Sequence, residues 1–292
     1  MRGRWWLNIG LLVVLVALGL LIWFKPGANS KKPKTTITTL APASIKTIRI
    51  AQPGQKVAVF KRHDGQWQML KPISAPADGA LIKNWLASVD EASTRSYPVK
   101  GLDLKQFGLK PPKLTLTLNN QKLEFGSSDP LDHQRYIRRG DTVYLANDML
   151  FYQLQGDPLS FVSKRLLPQD AKIVALTLPD LKLTQADNGD WKLTPSKPKI
   201  DSDQIQKLID AWQSAQAFNV KSADASKSTG EVVVQLRGQK EPIHFQILKN
   251  DSVLALARPK LGVEYQLPAN RRDDLLKLTP KDKKSVGSNK NG

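Results

Sequence analysis

The chain has 292 residues, is 40% hydrophobic and 24% charged, contains no cysteine and carries a formal net charge of +18. That length suits two ordinary domains and the composition is globular rather than disordered. The missing thiol excludes disulfides, thiolate metal sites and cysteine nucleophiles. More than half of the positive excess lies at the ends, since residues 1–44 hold six Lys/Arg and no acid, and residues 277–292 hold five Lys and one Asp. Such ends read as solvated tails, or as contacts to anionic headgroups or an acidic polymer.

The first element is "WWLNIGLLVVLVALGLLIWF", Trp5–Phe24, with Asn8 its only clearly polar residue. Twenty residues at about 1.5 Å each span roughly 30 Å, the hydrocarbon thickness of a bilayer. Trp5, Trp6 and Trp23 stand at its two ends, as an aromatic belt would. The apolar run exceeds a signal-peptide core and no A-x-A cleavage site follows it. An uncleaved anchor helix over 1–24 is therefore expected. Arg2 and Arg4 before the span nearly balance Lys25, Lys31, Lys32 and Lys34 after it, so charge alone leaves the orientation undecided. Residues 25–44, rich in Lys, Pro, Thr and Ser, read as a flexible linker reaching roughly 25 Å.

Two similar stretches come next. "HDGQWQMLKPISAPAD" and "DNGDWKLTPSKPKID" each set a Gly turn, one residue, a Trp, a short strand, a Pro/Lys/Ser loop, and then an Asp. The helical spacing behind each Asp predicts amphipathic helices, with Leu81, Trp85, Leu86 and Val89 on one face of the first and Ile205, Leu208, Ile209 and Trp212 on one face of the second. Trp67 and Trp191 are expected as core anchors. Asp78 and Asp201 are expected as helix N-caps, with Gln204 completing a capping box. A ligand platform built on a Trp and a carboxylate is the rival reading. Recurrence in both copies favours a structural need of the fold.

Alternating strands frame each helix. "IKTIRI" and "KVAVFKR" precede the first, and "KLTLTL", "QKLEFG", "RYIRR" and "TVYLA" follow it. "KIVALTL" and "LKLTQAD" precede the second, and "EVVVQLR", "PIHFQIL", "VLALARP" and "VEYQL" follow it. Period-two alternation predicts antiparallel sheets wet on one face. The fold class expected is α+β: a single transmembrane helix, then a duplicated module of antiparallel sheet plus one main helix, with copies at 45–155 and 156–276 and a basic disordered tail at 277–292. Only the first copy contains "GLDLKQFGLKPP", a turn closed by Gly108 ahead of Pro111 and Pro112, which are expected to launch an edge-type strand. "GDPLSFVSKRLLP" joins the copies, with Phe161, Leu166 and Leu167 as an interdomain plug.

The combination of "WQMLKPISAPAD", "FGLKPPKLTLTL", "LEFGSS", "RYIRRGDTVYLA", "FVSKRLLP" and "LARPKLGVEYQLPANRRDDLL" resembles an uncharacterised bacterial family, domain of unknown function 4340. The resemblance covers most of residues 45–276 and rests on turns and core positions. It implies an envelope protein whose soluble part lies outside the cytoplasm, since some relatives are similar to auxiliary components of ABC-type transport systems linked with gliding motility. It brings no catalytic residues.

Chemistry-bearing motifs are sparse. His63, His133 and His244 lie far apart, without the spacing of a zinc site. No G-x-x-x-x-G-K-[ST] or G-x-G-x-x-G is present. The one S-x-x-K, Ser196–Lys199, lies in a Pro-containing loop with no helix to present the Ser. Asp129, Asp132 and Asp141 lack calcium-loop spacing and read as turn acids. The best candidate surface for an anionic ligand is the strand bearing Arg135, Tyr136, Arg138 and Arg139, with Arg135 and Arg139 on one face and Arg138 opposite. An exposed strand face with no ligand is the plainer reading.

The expected function is thus non-enzymatic: a single-pass accessory or scaffold protein of a bacterial inner-membrane envelope or transport assembly, with its N-terminus cytoplasmic. It is expected to need no cofactor or metal, to bind no nucleic acid, and to have the membrane and an envelope or transport-complex protein as partners. The alternative is an extracytoplasmic binding module for an anionic envelope polymer or lipid.

Overall fold

The computed structural model of the chain describes residues 36–90, 93–197, 200–224, 226 and 228–278. The expected anchor over 1–24, residues 25–35 of the expected linker, Lys199 and the expected tail beyond Leu278 lie outside these residues. Among the described residues no helix is long and apolar enough to cross a membrane.

The described chain is α+β, built on two antiparallel sheets. The first half runs β1 (Thr47–Ala51), β2 (Ala58–His63), β3 (Gln66–Lys71), β4 (Ala75–Pro76), α1 (Gly79–Val89), β5 (Arg95–Pro98), β6 (Leu114–Leu118), β7 (Gln121–Ser128), β8 (Gln134–Arg139), β9 (Thr142–Asn147) and α2 (Met149–Leu154). The second runs β10 (Ile173–Leu178), β11 (Leu181–Gln185), β12 (Trp191–Thr194), α3 (Ser202–Ser214), β13 (Asn219–Ser222), β14 (Ser228–Leu236), β15 (Ile243–Leu248), β16 (Val253–Arg258), β17 (Val263–Pro268) and α4 (Arg271–Leu276). The first sheet is ordered β4-β3-β2-β1-β6-β7-β8-β9-β5 and the second β12-β11-β10-β14-β15-β16-β17-β13. Element for element the two orders are the same, β4 apart.

Alternation drives this arrangement. On β6, Leu114, Leu116 and Leu118 are buried and the intervening threonines half-buried, so one face of the sheet meets the core. Onto that face α1 lays Ile82, Trp85, Leu86 and Val89, and the Trp85 ring meets Phe60 at 6.0 Å. In the second half α3 buries Ile205, Leu208, Ile209 and Trp212. The Trp212 ring lies tilted against Phe245, centroids 5.6 Å apart, and donates its indole N–H to the Leu275 carbonyl at 2.8 Å, which ties α3 to α4. The first helix differs from expectation by one position. Ile82 takes the innermost place and Leu81 only flanks the core, since Ile82, Trp85, Leu86 and Val89 form the i, i+3, i+4, i+7 stripe of one helix face.

Two further expectations are corrected. Residues 36–44 are not linker throughout, since Ile37 is buried in the core and Thr38 and Thr39 are hydrogen-bonded to Gln121. Nor is β6 an edge strand: it pairs with β1 on one side and β7 on the other. Pro111 and Pro112 precede its first residue, so the ladder loses no N–H donor.

The two halves are joined by the segment around Phe161–Leu167. The Phe161 carbonyl accepts from the Asp78 N–H at 2.9 Å, and Ser163 N–H donates to the Pro76 carbonyl at 2.8 Å. Farther along, Ala217 N–H donates to the Lys164 carbonyl at 2.8 Å and Leu166 N–H to the Ala215 carbonyl at 3.2 Å. The Phe161 ring sits 4.9 Å from Trp85, and Leu166 and Leu167 are buried. This strap therefore grips the start of α1 and the end of α3 together. Replacing Phe161 with Ala removes a buried aromatic and is expected to cost about 3–5 kcal/mol. Urea unfolding of the full chain in mild detergent checks this: the midpoint falls, with both halves affected, whereas an unchanged midpoint would mean that the strap bears no load.

Candidate functional site

The arginine strand β8 crosses the first sheet between β7 and β9, and the sequence motifs flanking it converge there. Gly126, in the bulge where β7 meets β8, is packed so closely that a Cβ would collide with the Phe107 carbonyl oxygen. The Ser127 N–H donates to that same carbonyl at 2.8 Å. Gly108 takes a φ of +63°, a left-handed conformation that glycine adopts without strain. Residues 101–112, which have no counterpart in the second half, thereby lie against β7 and β8, where Phe107 meets the Tyr136 ring edge-on at 4.8 Å.

Arg135 is not a surface group. It is 4% exposed. Its guanidinium donates to the Gly126 carbonyl and to both carboxylate oxygens of Asp148, the Nη2 bond measuring 3.1 Å. It also lies over the Phe151 ring, 3.4 Å from the centroid. A planar, permanently charged fork suits this combination of bidentate pairing and ring stacking. Asp148 directly precedes α2 with a helical backbone and makes no side-chain cap hydrogen bond; the Met149 N–H donates instead to the Asn147 side-chain oxygen at 2.8 Å, and the Asp148 carboxylate serves Arg135.

The other candidates are likewise engaged. The Tyr136 hydroxyl donates to Asp129 at 3.0 Å. Burial, reinforced by that carboxylate, pushes the phenol pKa up, so it stays a donor. Arg138 lies 3.4 Å from Glu124 on the opposite face and donates to the Gly140 carbonyl at 2.9 Å. Arg139 lies over Tyr144, 4.8 Å from the ring centroid, and donates to the Thr36 carbonyl at 3.3 Å. The alternation predicted for these residues is present, but the strand presents no row of cations to a polyanion. It works as an internal brace.

Trp67 is buried, with Arg62 5.9 Å above its ring. Trp191 is only half-buried against the core; it sits in edge strand β12, opposite Gln185. Asp201 accepts from the Gln204 N–H at 3.0 Å while the Gln204 side chain accepts from the Asp201 N–H at 2.8 Å. His244 pairs with Glu231 at 2.8 Å and His63 with Asp64 at 3.1 Å, in different halves. Among the described residues no three His, Asp or Glu approach one another closely enough to hold a metal. A broad open depression of about 530 Å³ lies beside Ser228, Thr229 and Asn250. A smaller cleft of about 120 Å³ lies between Ile37, Ala146, Met149 and Leu150.

Sequence reasoning missed Asp148 as the partner of Arg135, and it missed the outward face of α2. Met149 and Tyr152 are 57% and 60% exposed there, while Leu150, Phe151 and Leu154 are buried. The run "DMLFYQL" carries the signal, being apolar on both faces of a helix at the protein surface.

Two sheets of the same order are thus joined by a strap whose Phe161, Leu166 and Leu167 are buried, and Arg135 and Arg138 are engaged in internal pairs. The chain belongs to the family described as a domain of unknown function (DUF4340), whose model matches residues 67–231, more than half of the chain. That match begins at Trp67, crosses the strap and ends in β14. Comparison with curated proteins and with solved structures finds no match.

Arg135→Ala leaves the Asp148 carboxylate, 12% exposed, without its partner and is expected to cost about 3–5 kcal/mol, whereas Arg135→Met combined with Asp148→Leu should lose much less. Equal losses in urea titrations would show that the ion pair is not the brace. Asp129 supplies a pH test. The backbone N–H of Asp132 chiefly holds its carboxyl below the ordinary range, with burial opposing and the Tyr136 hydroxyl assisting. A lowered folded-state pKa means that the unfolded chain takes up the proton first, so this contribution is complete above about pH 4 and disappears as pH falls through the folded value. Asp129→Asn should flatten the acid limb of stability against pH; a variant limb identical to that of the parent would refute the assignment.

Proposed function

We propose that this protein is a membrane-anchored, non-enzymatic accessory or scaffold subunit of a bacterial envelope or transport assembly, and that its two halves are copies of one duplicated module. The observation that carries this reading is the apolar stretch Trp5–Phe24, bounded by tryptophans and long enough to span a bilayer, ahead of a body whose strongest cationic cluster is used internally. The common strand order of the two sheets supports duplication. On this reading Met1–Trp6 lie in the cytoplasm and the two-sheet body outside it, at the inner membrane.

A binding module for an anionic envelope polymer or lipid is the weaker reading. It relied on Arg135 and its neighbours, and Arg135 is buried under Phe151. The basic ends remain its only support.

Affinity purification of the full chain from crosslinked membranes distinguishes the two. A stoichiometric membrane-protein partner is expected, and the chain is expected to stay in the pellet after an alkaline wash. Recovery in the soluble fraction, or a reporter fused at Gly292 that works only in the cytoplasm, would overturn the anchored topology. Salt-sensitive capture of wall polymer without a protein partner would favour the rival.

A further inference from the structure

The outward face of α2 lies where the chain enters the fold. Ile37 is buried and lines one cleft with Met149 and Leu150, and Arg139 holds the carbonyl of Thr36. The first described residue is therefore fixed beside Met149. On α2, Met149 and Tyr152 stand three residues apart, on one side of the helix. They point outward while Leu150, Phe151 and Leu154 point in. Leu131, 84% exposed, extends from the turn ahead of β8, whose first residue Gln134 pairs with Asn147, two residues before Met149. Leu131, Met149 and Tyr152 are thus three exposed apolar side chains at the open end of the β8–β9 hairpin.

The chain outside the structure identifies its occupant. Residues 25–35 separate Phe24 from Thr36. Eleven residues reach at most about 40 Å when fully extended and about 18 Å on average as a coil. If Trp5–Phe24 is an anchor, this tether keeps the α2 face beside the bilayer at an effective concentration of about millimolar, so a weak contact suffices. Tyr and apolar side chains suit the headgroup–acyl boundary. We propose that Leu131, Met149 and Tyr152 form a lipid-contacting face that seats the first module on the membrane carrying its own anchor. The proposal rests on the anchored reading above.

The absence of native cysteine gives a direct test. Single labels are placed in the full chain by Leu131→Cys, Met149→Cys, Tyr152→Cys, Lys240→Cys and Ala17→Cys. Each is reconstituted in phosphatidylcholine vesicles with brominated acyl chains, and quenching by lipid bromine and by aqueous iodide is read. Lys240 is exposed in the second half and serves as the reference. The labels at 149, 152 and 131 should be quenched by bromine several-fold more than that at 240, and less by iodide. A label at 17 should be quenched most. If 17 is quenched and 149 matches 240, the seating is wrong and the anchor stands. If 17 is not quenched, the anchored reading itself fails. A label at 149 shielded from both quenchers would place protein on this face and overturn the lipid assignment. Met149→Glu with Tyr152→Glu should abolish bromine quenching at 131, and persistence of that quenching would likewise overturn the proposal.

Discussion

The strap Phe161–Leu167 is the constraint on which both halves depend. It uses backbone hydrogen bonds on either side, to Pro76 and Asp78 in the first half and to Ala215 and Ala217 in the second. Asp78 is engaged twice, its backbone by the strap and its carboxylate by the first turn of α1. The helix start, the sheet edge at β4 and the connection between halves are therefore one hydrogen-bonded unit. Sheet edges left open are liabilities. Here the isolated bridge between Ala77 and Val162 extends the β4 side of the first sheet into the strap, while Phe161 fills the aromatic cluster beneath it. A connection that is also core couples the halves more tightly than a surface linker would.

Much of this was legible in the sequence. Strand alternation located the principal strands of both halves, and the two capping aspartates marked both long helices, because these signals are local: a period of two, a period of 3.6, and a short polar side chain at a helix start. The order of strands was harder. Pro111 and Pro112 suggested an edge, but prolines before a strand say nothing about which neighbours it acquires. Trp191 matched Trp67 in sequence yet sits half-buried in an edge strand, since local spacing fixes which face a side chain takes and not how much covers that face.

The candidate site failed to be legible for the same reason. Alternation placed Arg135 and Arg138 on opposite faces, and both faces proved occupied. Residues 101–112 cover one, with Phe107 on Tyr136, and α2 closes the other over Arg135. An isolated strand bearing three arginines looks like an anion surface. The same strand between two covering elements becomes a source of internal bonds. Gly108 and Gly126 belong to motifs about twenty residues apart in sequence, and both are needed so that two backbone segments can touch. The family match over residues 67–231 spans these contacts, which gives its turns and glycines a physical role in assembling the sheet.

The brace also decides what α2 can do with its outer face. Rotating this six-residue helix to bury Met149 would gain about 1.5–3 kcal/mol of apolar burial. Rotation would also pull Asp148 from Arg135 and Phe151 from beneath the guanidinium, leaving a buried charge uncompensated at a cost of about 3–5 kcal/mol. The loss exceeds the gain, so Met149 and Tyr152 stay outward. Their exposure is a consequence of the ion pair behind them, and it persists whether or not anything covers them.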